Sequence, residues 1–235
     1  MKTVELNKLK QENNFEAFYK KISTFIPSLN KFAASKLKIS ENEDLIDKEF
    51  YDANGILNEV YMEVFKNFPD DIDEKQLRKM LFLSTIQKIN EKATNEEMEE
   101  AFTSNFTVDD ILKEELDLLN EEYSVEADGD YIFNKDLDDI SYKQKSFKST
   151  HFILDRPFEV QLTGKLSLNI NPLSSYKKRN LFGWLYHSLP PKSKTITELY
   201  VFGDQNISEI SDILLIDEEK VKRVIDKITK RFKSL

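Results

Sequence analysis

A mainly α-helical protein is what this sequence predicts, built as two small helical domains joined by a long acidic linker. Apolar residues recur at the 3.6-residue spacing of an amphipathic helix in the N-terminal half and again close to the C-terminus. These runs open on capping residues and stop at proline or glycine, whereas the stretch between them is rich in acids and keeps no sustained period. The spacing places a helical bundle at 10–105, the linker at 106–180 with a β-hairpin over 157–171, and a helix-turn-helix at 181–235.

In the first domain, Phe15, Phe18, Ile22 and Phe25-Ile26 lead through Pro27 into Leu29, Phe32, Ala33 and Leu37, which predicts a helix from Asn14 to Lys38 broken or kinked at the proline. Asp52 is positioned to cap a second helix. Its face is Ile56, Leu57, Val60, Tyr61, Val64, Phe65 and Phe68, and Pro69 ends it. A third run begins near Asp73-Glu74, with Leu77, Leu81, Ile86 and Ile89 thickened by Met80, Phe82 and Leu83, so it should be buried on two sides.

The middle segment is uneven. Ile111 to Leu119 reads as a short amphipathic helix, and Glu121 to Asp139 as acidic chain with Tyr123, Tyr131 and Phe133 scattered through it. Asp128-Gly129-Asp130 lacks the further ligands that a calcium loop needs at fixed spacing. Phe158 to Leu162 and Leu166 to Ile170 alternate apolar and polar residues around Thr163-Gly164-Lys165, the pattern of a hairpin. Lys177-Lys178-Arg179 and Phe182-Gly183-Trp184-Leu185-Tyr186 either grip nucleic acid or open the C-terminal module.

That module starts at Leu189-Pro190-Pro191, where proline presets a first helical turn, and continues through Ile196, Leu199 and Val201-Phe202. Gly203-Asp204 breaks the helix. Asn206 caps the next, whose apolar face is Ile207, Ile210, Ile213 and Leu214, and Asp217 caps a last one. On that last helix Val221, Val224, Ile225, Ile228 and Phe232 form one stripe. Lys220, Lys222, Arg223, Lys227, Lys230 and Arg231 lie on or beside the other face, the pattern of a helix that enters the DNA major groove or of a three-helix unit that binds protein.

Composition bounds what else the chain can be. No apolar run is long enough to span a bilayer and the first residues lack the apolar core of a secretory signal, so a cytoplasmic protein is expected. With no cysteine, and with His151 and His187 far apart, neither a disulfide framework nor a metal site is expected. No glycine-rich phosphate loop or nucleophile-base motif points to catalysis, and no cofactor is implied. The net charge of −9 opposes DNA binding, but much of the excess acid lies at 95–100 and 109–139 while the last helix is locally basic.

The C-terminal residues Leu189-Pro190, Thr195 to Phe202, Ile207 to Leu214, Ile216-Asp217 and Val221-Lys222 resemble region four of sigma-70-type RNA polymerase sigma factors. Asp52 to Phe68 resembles the region-two helix of the same family, and Gln76 to Asn90 is similar to the helix that melts the promoter. The resemblance implies a sigma factor of the extracytoplasmic-function type that binds the clamp and flap of core RNA polymerase and promoter DNA. It assigns Ile56, Asn58, Glu59 and Glu63 to the clamp, with Leu57, Val60 and Val64 split between that groove and the domain's own core. Arg78, Lys79 and Lys88 would face DNA, and the acidic linker would thread the polymerase channel.

The chain departs from the family where it meets DNA. Met80 stands where a tryptophan is usual, Glu91 to Glu97 replaces a basic tail, and Leu215 replaces the glycine of the turn, which the turn accommodates if its backbone avoids positive φ. The resemblance therefore also implies delegated promoter choice, to a DNA-bound recruiting protein such as a nuclease-dead CRISPR effector, with an anti-sigma factor as a further partner. Two other readings stand beside it: a helix-turn-helix regulator with an N-terminal sensing or dimerisation domain, and a sigma-like decoy that occupies polymerase without initiating.

Overall fold

The structure, a computed structural model, describes residues 3–43, 45–70, 72–93, 112, 115–125, 131–133, 153–168 and 175–233, apart from a few side chains in the first helix and the strands. The acidic block at 95–100, Asp128-Gly129-Asp130, His151 and the 169–171 end of the expected hairpin lie outside these residues. The chain is mainly helical and forms two compact units, Met1–Asn105 with Glu198–Glu218, and Phe106–Thr197 with Glu219–Leu235.

The first unit contains α1 (Thr3–Gln11), α2 (Phe15–Lys21), α3 (Ile26–Asn42), α4 (Ala53–Asn67) and α5 (Glu74–Lys92). The break expected at Pro27 falls earlier. Helix α2 stops at Lys21, a tight 3-10 turn spans Ile22–Thr24, and α3 restarts at Ile26 with Pro27 in its first turn. There the missing N–H would have had no helical partner and the ring meets no preceding carbonyl, so the helix runs straight on to Asn42. Asp52 and Asp73 cap α4 and α5 as their sequence positions predict, the second in a reciprocal box with Gln76.

Aromatic rings fill the centre of this bundle. Phe18 stacks on Phe68 at 5.8 Å between centroids and meets Phe65 at 5.0 Å, and Phe32 packs against Phe82 at 5.6 Å. Lys10 closes one edge, its Nζ donating to the Phe68 carbonyl at 2.6 Å.

Glu198–Glu218 belongs to this unit and brings the end of α8 (Pro191–Val201) and all of α9 (Ile207–Leu214), which packs on α5. Gly203 permits the turn between them. A Cβ there would lie 2.8 Å from the Leu199 carbonyl oxygen and 3.3 Å from the Phe82 ring. Asn206 caps α9 in a second reciprocal box, with Glu209. At the other end Leu215 takes the left-handed conformation, φ 56, and is 76% exposed, while the Ile216 N–H returns to the Ser211 carbonyl. The condition under which this turn would accommodate leucine without strain is not met: the closing motif takes the left-handed conformation, which costs a non-glycine residue about 1–2 kcal/mol.

The second unit holds most of the segment read as linker. Helical residues 115–118, the antiparallel strands β1 (Tyr123–Val125) and β2 (Tyr131–Phe133), α6 (Arg156–Lys165), α7 (Tyr176–His187), the start of α8 and nearly all of α10 (Glu218–Lys233) make it up. Leu112, Leu119, Leu154, Phe158 and Leu162 are buried, so the described part of 106–180 is packed structure rather than a bare tether. The strands are held by Trp184, whose ring lies 5.3 Å from both Tyr123 and Tyr131, and Phe182 packs on Phe232 at 4.8 Å. Phe182 and Trp184 are thus core residues of α7.

The hairpin expected over 157–171 is corrected to a helix at Arg156–Lys165. Pro157 sits in its first turn, Phe158 and Leu162 bury one face at i,i+4 spacing, and Val160, which alternation would have turned inward with them, is 48% exposed. Gly164 makes no turn. The helix closes just after it, with Ser167 at φ 50 and the Leu168 N–H donating to the Thr163 carbonyl at 2.8 Å. The true hairpin pairs Tyr123 with Phe133 and Val125 with Tyr131, in the acidic stretch that shows no alternation. Among the described residues no helix is long and apolar enough to cross a membrane, and no three His, Cys, Asp or Glu side chains gather to hold a metal.

Candidate functional site

Two surfaces carry the residues singled out by sequence, one in each unit. On α4 the side chains of Asn58, Glu59, Met62 and Glu63 are exposed on successive turns. Ile56 is only 3% exposed, and Leu57, Val60 and Val64 are buried with it. Ile56 is therefore a core residue and cannot touch a partner without unpacking the bundle, and none of the four apolar positions is shared with a groove.

The α5 cations are engaged within their own unit. Arg78 ion-pairs with Glu209 of α9 and lies 5.8 Å from the Phe25 ring centre. Lys75, one turn earlier, pairs with Asp212 of the same helix, and hydrogen bonding to that carboxylate raises its pKa. Glu209 therefore does two things, since its other oxygen accepts from the Asn206 N–H. Lys88 reaches Glu91 at 3.2 Å and Glu63 at 3.3 Å, and these hydrogen bonds, Glu91 first, raise its pKa against the cost of burial. Lys79 is half-buried.

On α10 the basic face is only partly open. Lys222, Arg223 and Lys230 are exposed and Lys220 is half-buried, with Arg223 3.5 Å from Glu219. Lys227 donates to the Leu116 carbonyl at 2.8 Å. Arg231, placed on the outer face by periodicity, is 9% exposed, and burial lowers its pKa while Tyr123 and Glu121 act in the opposite direction. The outer-face assignment of Arg231 is corrected: the chain around 119–123 covers that turn of the helix.

The strongest polar constructions were not visible in the sequence. Lys36 and Glu198, 7% and 2% exposed, form an ion pair at 2.8 Å across 162 positions. Glu115, 4% exposed, accepts from the backbone N–H of Lys192 and Ser193 at 2.9 and 2.7 Å, and so caps α8 from far upstream. Glu159, fully buried, takes the Arg179 Nε on both oxygens at 2.8 and 3.1 Å, with Arg156 at 3.1 Å. Only the charge at an apolar helical position, Glu159 beside Phe158 and Leu162, gave any local hint. No protein-family model, no curated protein and no solved structure matches the chain.

Proposed function

We propose that this chain is an alternative sigma factor of the small, extracytoplasmic-function type, a subunit that binds core RNA polymerase and directs initiation at promoter DNA. It is a specificity subunit acting in the cytoplasm, not an enzyme, and needs no cofactor. The observation that carries the reading is α4: its apolar positions are committed to the core, and Asn58, Glu59, Met62 and Glu63 are left as an exposed stripe on a rigid, capped helix. Such a stripe suits docking onto another protein, and three of its four residues are those that the family resemblance assigns to the clamp. The exposed Lys222, Arg223 and Lys230 of α10 support a DNA contact in the other unit.

Gel filtration with bacterial core polymerase at low salt tests this. The chain should co-elute, and the reversal Glu59→Arg, at an exposed position of α4, should weaken binding at least about tenfold, or 1.4 kcal/mol. A chain that elutes apart from core ends the proposal.

Promoter choice is shared with a DNA-bound partner, of which a nuclease-dead CRISPR effector is one form. The internal engagement of Arg78, Lys88, Lys227 and Arg231 favours this, because it leaves Lys222, Arg223 and Lys230 as the fully exposed members of the assigned DNA-contact set. A reporter library with randomised upstream elements should show little sequence preference in the absence of that partner. Strong dependence on one upstream sequence would mean that the chain reads DNA unaided.

A further inference from the structure

Resting on the reading that α10 meets DNA, we propose that Lys227 and Arg231, beside the exposed Lys230, complete a phosphate site for the backbone of duplex DNA that is partly covered in the free chain by residues 116–123 with their carboxylates Glu121 and Glu122.

The three cations stand at i, i+3 and i+4 and therefore share one patch of the last turns of α10. A cavity of about 410 Å³ separates them from Glu121, Glu122 and Tyr123. One edge is fastened by the Lys227 hydrogen bond to the Leu116 carbonyl, and Arg231 is buried at the other. Lys222 and Arg223 toward the start of the helix and Lys230 toward its end are open to solvent, while Lys227 and Arg231 are covered.

What covers it has the sign and reach of a phosphate. Carboxylates in a positive field occupy the place that a nucleic-acid backbone would take, and attraction at a partly solvated site is weak enough to be exchanged. Duplex DNA presents one negative charge per roughly 1.7 Å of helix axis, so two carboxylates are outcompeted once the helix is held against a backbone. The exchange needs only the Glu121 and Glu122 side chains to swing away, since residues 120–122 are turn and irregular chain with Glu122 exposed, while Leu119 and Tyr123 on either side stay packed.

The experiment uses the full chain and a short duplex of generic sequence, with binding followed by fluorescence anisotropy over a salt series. In Glu121→Gln/Glu122→Gln, affinity at low salt should rise about tenfold and the slope of log K against log salt should steepen by about 2, as for two or three new phosphate contacts. Adding Lys227→Gln/Lys230→Gln should abolish the gain. The control Glu12→Gln/Glu16→Gln changes net charge equally and should show none. An unchanged slope in the first variant overturns the proposal, as does a gain that survives loss of the two lysines or appears equally in the control. Core-polymerase co-elution, measured on the same variants, should not move; a chain that fails it yet shows the gain keeps the phosphate site and loses the sigma assignment.

Discussion

Replacing Lys36 by alanine is expected to destabilise the first unit by about 3–5 kcal/mol, the cost of stranding a buried charge whose partner has been removed. Glu198 is 2% exposed and reaches Lys36 at 2.8 Å, so water cannot solvate the carboxylate that remains without opening the packing of Glu198–Glu218 on the bundle. The double replacement Lys36→Met/Glu198→Leu removes both charges and keeps apolar volume. It should recover most of the loss, since a buried pair roughly breaks even against hydrophobic isosteres. Urea unfolding followed by circular dichroism measures both, and native-state hydrogen exchange should show the α9 amides losing protection first in Lys36→Ala. Equal stability of wild type and Lys36→Ala would mean that the pair does not hold this segment in place.

Glu159→Ala should cost about 3 kcal/mol, because it removes both acceptor oxygens of the Arg179 Nε and leaves that half-buried guanidinium with the Leu154 carbonyl. Glu159→Gln keeps the shape and one acceptor, and should cost less. The measurement also separates two architectures for 157–171. On a hairpin, Glu159 would alternate with Phe158 onto the solvent face, and its loss would fall within about 0.5 kcal/mol. A small effect would therefore restore the strand reading, and a large one requires the helix in which Glu159 turns inward beside Phe158 and Leu162.

The helices whose beginnings were legible are those with a local reason to begin. Asp52, Asp73 and Asn206 each accept from a backbone N–H three residues on, an interaction that depends on four consecutive residues and nothing else. Periodicity likewise marked the buried faces of α4 and α10, from Ile56 to Phe65 and from Val221 to Phe232, with Arg231 the exception. At 156–165 two periods fit the same apolar residues, since the four-residue spacing of Phe158 and Leu162 is both two strand periods and one helical turn, and Pro157 suits the first turn of the helix. The β-hairpin failed to show because three-residue strands are too short for alternation to register.

Of the candidate site, the polar residues of α4 stand exposed where the pattern put them, while Ile56 and Arg231 do not. For Ile56 the reason is the width of the buried face: it is 3% exposed and lies in the core with Leu57, Val60 and Val64. For Arg231 the reason is chain from more than a hundred positions upstream, which no window on α10 contains.

By itself, then, the sequence determined the helical class, the caps and the apolar faces of the principal helices, because these arise from hydrogen bonds and side-chain spacing within a few residues. Tertiary structure alone decided that Glu198–Glu218 packs with the N-terminal bundle, that the described linker residues are part of a packed unit, and that α10 keeps only part of its basic face open. Those outcomes turn on pairs such as Lys36 with Glu198 and Glu115 with the N-terminus of α8, where a buried charge takes whichever partner the folded chain brings within 3 Å.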